Sequence, residues 1–229
     1  MLEIIRDYWP TLLIGRYPNG PLGGLALTLI LALLSLALSF PLGVSIAIPR
    51  VSPYRAVALA SKQFVNAVRG LPLLMLIFWA YFVVPKLIGQ TISGFSTLIC
   101  ALVVYEGAYL SEIVRSGIEA IPKGQIEASR SLGVGYWTTM RKVILPQGLF
   151  NVLPSMTSQF VSTIKETSLG YVISVHELTF SANQVNNLVL TKPLQVFAIL
   201  AITYFVICFG LSRGLAGVDA SIRRTRSMA

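Results

Sequence analysis

The amino-acid sequence predicts an all-α integral membrane protein with about five transmembrane helices. Hydrophobic residues make up 55% of the 229 residues and charged residues only 12%, whereas soluble domains are about 25% charged. The mean hydropathy is +0.73. Apolar runs of about 20 residues, the length that crosses a bilayer as a helix, occur at approximate positions 22–48, 60–84, 94–116, 148–173 and 194–212.

The first three runs differ in how clearly the sequence marks them. The run 22–48 contains no charged residue and is the clearest candidate. The run 60–84 ends in the aromatic segment LIFWAYFVV, a composition typical of a membrane interface. The run 94–116 is apolar in its first half and carries charged residues in its second half.

The fourth run, 148–173, has a polar side. Its polar residues recur at helical spacing, and they are Asn151, Ser155, Ser158, Gln159, Ser162 and either Lys165 or Glu166. Because lipid cannot solvate such a stripe, it must face protein or a watery path. Close packing against neighbouring helices is the structural alternative. The fifth run, 194–212, is apolar and leads into a basic tail.

The distribution of basic residues predicts the orientation. Of the 18 Lys and Arg residues, most lie in loops on one side of the predicted membrane, namely Arg50, Arg55, Lys62, Arg69, Arg115, Lys123, Arg130, Arg141, Lys142, Arg213, Arg223, Arg224 and Arg226. The positive-inside rule therefore predicts an outside N-terminus and a cytoplasmic C-terminus. The same bias explains the net charge of +9 better than nucleic-acid binding does.

Ionisable residues inside the runs need partners, because an unpaired charge is costly in a membrane. Glu106 has no partner one turn away in its own helix, so it needs another helix, a proton, water or a ligand. Glu112 and Arg115 have the spacing of an ion pair. Arg69 is interpreted as an anchor at a helix end or between subunits.

A second group of ionisable residues ends the polar stripe. The segment Lys165-Glu166-Thr167-Ser168 offers a cation, an anion and two hydroxyls, which could recognise a zwitterion or form an internal salt bridge.

The sequence lacks the common motifs of nucleotide-binding, metal-binding and catalytic sites. The sequence contains no GxxxxGKS/T, GxGxxG, HExxH or GxSxG pattern, and its nine Asp and Glu residues are scattered. The single histidine, His176, is predicted to lie on the outer surface, and Cys100 and Cys208 lack metal-ligand spacing. We therefore expect no catalytic residue, no metal site and no cofactor in this chain.

The segment 124–147, GQIEASRSLGVGYWTTMRKVILPQ, is a polar, net-positive island between apolar runs. Its pattern predicts a short helix, a break at Gly133 and a second short helix that ends at Pro146. The predicted orientation places this island in the cytoplasm.

This island resembles the EAA loop of the membrane permease subunits of bacterial ATP-binding-cassette importers. The resemblance is carried by Glu127-Ala128-Ser129-x-x-x-Gly133 and by Ile144-Leu145-Pro146, with Ser129 where the family often has a second alanine. Further blocks look like those of the polar amino acid permeases, and they are Arg69-Gly70-Leu71-Pro72, Ala108-Tyr109-x-x-Glu112-Ile113-x-Arg115, Gly124-Gln125, Leu145-Pro146-Gln147 and Lys165-Glu166-Thr167-Ser168-Leu169.

The resemblance implies one permease domain, 1–229, with a type I importer fold, in a bacterial inner membrane. Its coupling loop, 120–147, would form a coupling helix that docks on a cytoplasmic ATPase dimer, which binds ATP and Mg. Other implied partners are a periplasmic amino acid binding protein, membrane lipid and a second permease subunit, paralogous in a heterodimer or identical. The residues implied to contact the ATPase are Glu127, Ala128, Ser129, Arg130, Leu132, Gly133, Tyr136, Trp137 and Arg141.

The resemblance also suggests a substrate class. The aromatic run Phe78-Trp79-x-Tyr81 looks most like the glutamate and aspartate branch. Arginine, histidine or glutamine are alternatives, because the candidate pathway contains both signs of charge. A stand-alone secondary transporter is a further alternative, although no internal repeat supports it. The candidate pathway residues are Arg69, Glu106, Glu112, Ser155, Gln159, Ser162, Lys165, Glu166, Thr167 and Ser168.

Overall fold

The computed structural model describes the backbone of residues 1–227 and the side chains of residues 1–217. The side chains of Arg223, Arg224 and Arg226 in the predicted basic tail lie outside the described residues. The described chain is helical, and its helices are α1 Leu2–Ile14, α2 Gly24–Arg50, α3 Arg55–Arg69, α4 Leu73–Phe78, α5 Val84–Ile88, α6 Gly94–Glu119, α7 Lys123–Ser131, α8 Tyr136–Thr139, α9 Leu145–Asn151, α10 Leu153–Glu166, α11 Leu178–Val189 and α12 Pro193–Ser227.

Three helices in the described part of the chain are long and apolar enough to cross a membrane. They are α2, α6 and the Pro193–Gly217 part of α12. They match the first, third and fifth predicted runs, because long apolar segments without internal breaks mark such helices directly.

The second predicted span, 60–84, is not one straight helix. The chain bends by 97° between α3 and the helix Leu73–Ile88, so the pair makes a fourth span only if it is counted as one broken segment. Pro72 lies at the bend in an extended conformation, with ψ of 135°. Proline cannot donate a backbone hydrogen bond and disfavours helical geometry in the residue before it, which explains the break.

The fourth predicted span, 148–173, is also interrupted. The helix stops at Val152, and α10 begins just before Pro154 and passes into a 3₁₀ turn, Thr167–Ile173. The 14 residues of α10 rise about 21 Å, less than the roughly 30 Å of a bilayer core. The count of five spans therefore stays a prediction.

The centre of the fold is the crossing of α2 and α6, which make the most extensive helix contact in the described chain. A Cβ atom at Gly43 would lie 2.7 Å from the Cβ of Leu110, so this approach requires glycine. One apolar cluster packs around Leu31 and Leu102, and another joins Ala47 of α2 and Val114 of α6 to Met140 and Ile144. This second cluster fixes the 124–147 segment to the ends of α2 and α6.

Two helices, α1 and α11, lie outside the five predicted spans. Glu177 begins α11, and its buried carboxylate accepts hydrogen bonds from the backbone N–H groups of Thr179 and Phe180, at 2.7 and 2.9 Å. The Tyr204 hydroxyl of α12 donates to the same carboxylate at 3.1 Å. Ile4 of α1 packs in the apolar cluster between α11 and α12.

Candidate functional site

The 124–147 segment folds as helix, break and helix. Helix α7 ends at Ser131, and Gly133 follows with φ of +73°. In this conformation the N–H of Gly133 donates to the Arg130 carbonyl at 2.9 Å, and the N–H of Val134 donates to the Ser129 carbonyl at 3.0 Å. A positive φ at this position favours glycine because side chains crowd the backbone there.

The second helix of the segment continues further than predicted. We expected Pro146 to end it, but Pro146 lies in the first turn of α9, directly after a π turn at Met140–Ile144. A wider turn before proline relieves the clash between its ring and the carbonyl one turn earlier, so the helix continues. A second π turn, Trp79–Val83, precedes Pro85 in the same way.

Large apolar side chains of the segment are exposed. Leu132 is 82% exposed and Trp137 is 64% exposed. Tyr136, by contrast, is half-buried, and its hydroxyl donates to the Val51 carbonyl beyond α2 at 3.2 Å. Of the other residues implied to contact an ATPase, Ser129 is buried, whereas Glu127, Ala128, Arg130, Gly133 and Arg141 are exposed.

Glu106 lies in the interior and is bonded across helices. Its side chain has no exposed surface, and the Gln159 amide of α10 donates to Oε2 at 2.7 Å. Gln159 is thus a partner from another helix, as the sequence requires. The Oε1 atom of Glu106 and the Oε2 atom of Glu166 are both buried and have no side-chain donor of another residue type, and the two carboxyl groups lie within side-chain hydrogen-bond reach of each other.

The rest of the predicted polar stripe divides into two groups. Ser155, Ser158 and Lys165 are exposed on α10, whereas Ser162 and Glu166 are half-buried. The hydroxyls of Thr167 and Ser168 donate to backbone carbonyls one turn earlier, at 2.7 and 2.6 Å. Within residues 1–217, the ion pairs do not include one between Lys165 and Glu166.

The remaining charged candidates converge on one carboxylate. Glu112 forms ion pairs with Arg115, with Arg50 at 2.6 Å and with Arg69 at 3.6 Å, and Arg115 also pairs with Glu119. The guanidinium of Arg69 lies 4.9 Å from the ring centre of Tyr109, a cation–π distance. The predicted pairing of Glu112 with Arg115 is present in this larger network.

Two contributors to these arrangements were missed in the sequence. The sequence pattern predicts Arg50 only as a loop cation, yet its side chain is 6% exposed and paired with Glu112. The available signal for this pair was that Arg50 directly follows a charge-free span while Glu112 lies in another span. For Glu177, the available signal is an acidic residue directly before an apolar-periodic segment, which is typical of a helix start.

Comparison with known proteins places the chain in a family. Residues 39–224 match the family described as "Binding-protein-dependent transport system inner membrane component". The chain is 36% identical over 204 residues to the "Probable glutamine ABC transporter permease protein GlnP" of Bacillus subtilis, covering 88% of this chain and 92% of that protein. It is 33% identical over 199 residues to the "Glutamate/aspartate import permease protein GltK" of Escherichia coli O157:H7, covering 83% of this chain and 88% of the relative.

The fold comparison agrees with the sequence comparison. A solved structure described as the "Crystal structure of an amino acid ABC transporter with histidines" matches with a TM-score of 0.78 and 32% identity, over 86% of this chain and 92% of that chain. The named solutes of these relatives differ, so similarity to the glutamate and aspartate branch is not distinguished from similarity to the others. Because these matches cover most of the chain, the chain belongs to the family of binding-protein-dependent transport system inner membrane components.

Proposed function

We propose that this chain is the permease subunit of an ATP-driven importer for a polar amino acid. The observation that carries the proposal is the exposed 124–147 segment, with Gly133 at a helix break and Leu132 and Trp137 uncovered. Exposed large apolar residues with a charged rim are typical of a protein interface. In a member of this transporter family, that surface is suited to a cytoplasmic ATPase.

The second apolar cluster supports a route for mechanical coupling. Met140 and Ile144 follow the exposed surface and pack with Val114 and Ile118 near the end of α6. Since packed interiors transmit displacement, movement of the coupling helix would move the same end of α6. ATP and Mg would bind to the partner ATPase, and this chain would supply only the moving membrane part.

The exposed face of α10 suits a pathway shared with a second permease subunit. Ser155, Ser158 and Lys165 would be unfavourable against lipid, and a partner subunit or a water-filled path would solvate them. Glu106 and Gln159 lie behind this face, close enough to bond to each other. Alternating exposure of the path would move solute from a periplasmic binding protein to the cytoplasm, with the N-terminus outside.

The charges do not select one solute. Arg69 and Lys165 would suit an acidic amino acid, whereas Glu106 and Glu166 would suit an amino group. Relatives named for glutamine and for glutamate or aspartate support the class of polar amino acids. Glutamate and aspartate are the first solutes to test, with glutamine, histidine and arginine as alternatives.

Uptake by the reconstituted assembly tests the proposal. The tagged chain should co-purify with an ATPase and a second permease-type chain. Proteoliposomes that contain the assembly and the binding protein should accumulate radiolabelled amino acid only with internal ATP, and a competition panel would rank the solutes. Purification of the chain without an ATPase, or uptake driven by an ion gradient in the absence of ATP, would contradict the proposal.

A further inference from the structure

A basic groove of about 670 Å³ lies between α3 and α6. Its cationic lining consists of Arg50, Arg55, Lys62, Arg69 and Arg115. Its acidic lining consists of Glu112 and Glu119. The lining therefore has an excess of positive charge, and its size suits a group larger than a single ion.

Part of that positive charge has no internal partner. Glu112 and Glu119 are committed to pairs with Arg50, Arg69 and Arg115. Arg55 and Lys62 form no ion pair within the described side chains. In addition, Nε of Arg50 is buried without a hydrogen-bond partner, on a side chain that is 6% exposed. The exposed side chains of Arg55 and Lys62 are therefore the donors available to an external anion.

The position of the groove is at a membrane boundary. Arg50 is the last residue of α2, and Glu119 is the last residue of α6, both of which are apolar spanning helices. On the groove face of the adjoining helix α3, Arg55 and Lys62 lie beside Leu59, which is 57% exposed. Leu59 itself lines the groove. Cations beside apolar surface at this depth match a phospholipid, which presents phosphate beside acyl chains.

We propose that this groove binds the headgroup of an anionic phospholipid, with the phosphate at Arg55 and Lys62 and the acyl chains beside Leu59. Basic pockets between transmembrane helices on the cytoplasmic side are known binding sites for anionic headgroups. The positive-inside bias assigns the groove to that side. The site does not depend on the transport function, because only the membrane placement of α2 and α6 enters the argument.

Lipid titration of the purified full chain tests the site. Native mass spectrometry would count the molecules of phosphatidylglycerol or phosphatidylcholine retained by the chain. We expect preferential retention of phosphatidylglycerol, and the double variant Arg55→Gln/Lys62→Gln should weaken its first binding step by about tenfold or more. Both side chains are exposed, so the variant should keep the helical circular dichroism spectrum of the parent.

A matched control removes the same charge elsewhere. The variant Arg16→Gln/Lys86→Gln alters exposed cations in the predicted outer loops, and it should retain the parent affinity for phosphatidylglycerol. Equal retention of the two lipids, or equal weakening in both double variants, would overturn the proposal. Displacement of the lipid by millimolar inorganic phosphate or glutamate would indicate a soluble-anion site instead. Loss of binding on assembly with the ATPase and second permease would indicate a protein contact.

Discussion

The side-chain nitrogen of Gln159 lies 2.7 Å from the Oε2 atom of Glu106, which has no exposed surface. This hydrogen bond joins α10 to α6 within the helical interior. The other oxygen, Oε1, is buried without an amide, hydroxyl or cationic donor, and Glu106 lies within side-chain hydrogen-bond reach of the Glu166 carboxyl group. The pair therefore combines a fixed helix contact with a carboxyl oxygen that a solute or a proton could use.

Replacement of the amide should destabilise the protein. Gln159→Leu leaves the buried Glu106 without its donor, and we expect the free energy of unfolding to fall by about 1–3 kcal/mol. The double variant Glu106→Leu/Gln159→Leu should recover much of this loss, because both polar partners are removed. Thermal unfolding of the purified chain measures the effect.

The same double variant separates a structural role from a pathway role. If Glu106 and Gln159 contact the solute, proteoliposomes with the double variant should show low solute uptake even though the stability of the protein is recovered. Uptake at the parent rate by the stable double variant would show that the pair only packs the helices.

Gly133→Val should uncouple transport from ATP hydrolysis. The φ of +73° strains a β-branched residue, while no atom lies within 4 Å of a Cβ built there, so packing is not disturbed. We expect normal membrane insertion and at least about tenfold lower ATP-dependent uptake. Gly135→Val is the matched control, since Gly135 has φ of −67° and an equally open surrounding. Equal uptake by the two variants would argue against a role for this backbone conformation.

The sequence predicted some elements well because their signals are local. The apolar run 22–48 became α2, and 94–116 became α6, with ends displaced by only a few residues. The helix break at Gly133 was also visible, since one residue type reports a backbone conformation.

Other features depend on geometry that local patterns do not contain. Hydropathy reports how apolar a segment is but not its direction, so the 97° bend beside Pro72 was read as a continuous span. The contact between Arg50 and Glu112 joins two helices far apart in sequence. The burial of the Ser129 side chain, which donates to the Gln125 carbonyl at 2.9 Å, is likewise not visible in the local pattern, and contact of Ser129 with an ATPase stays a prediction.

Glu112 should matter more for stability than its neighbour Glu119. Glu112→Ala leaves the nearly buried Arg50 without its carboxylate, and we expect a loss of about 3 kcal/mol in the free energy of unfolding. Glu119→Ala removes only the ion pair with Arg115, and the Glu119 side chain is 54% exposed. The free energy of unfolding should therefore fall by less than about 1 kcal/mol. Unfolding in mixed detergent micelles, followed by circular dichroism, compares the variants. Similar losses would contradict the burial argument.

Trp137→Ala should weaken retention of the ATPase. An exposed tryptophan at a protein interface often contributes at least about 2 kcal/mol to binding, so co-purified ATPase should fall about tenfold or more. Trp9→Ala is the control, because Trp9 is 54% exposed on α1, which packs against α2 and α11. Unchanged recovery of the ATPase with Trp137→Ala would remove this residue from the docking surface.

Glu177 should make stability depend on pH. Burial raises the pKa of its carboxyl from 4.5 to about 7 in the folded chain, although hydrogen bonds from Thr179, Phe180 and Tyr204 oppose this shift. Between these two pH values the unfolded chain releases the proton while the folded chain retains it. The stability contribution is therefore complete below pH 4.5 and is lost as the pH rises through about 7. A shift of this size corresponds to about 3 kcal/mol.

Thermal unfolding of the full chain at about pH 5 and about pH 8 measures this dependence. The melting temperature of the parent should fall over that interval, and Glu177→Gln should flatten the profile. Glu3→Gln is the control, since its hydrogen bond to Lys192 lowers the pKa of the exposed Glu3 carboxyl and keeps it ionised across the interval. A profile that remains steep in Glu177→Gln would assign the titration to another group, because glutamine cannot ionise. Its single side-chain oxygen replaces only one of the two oxygens that accept from Thr179 and Phe180, so the slope of the profile is compared and not its height.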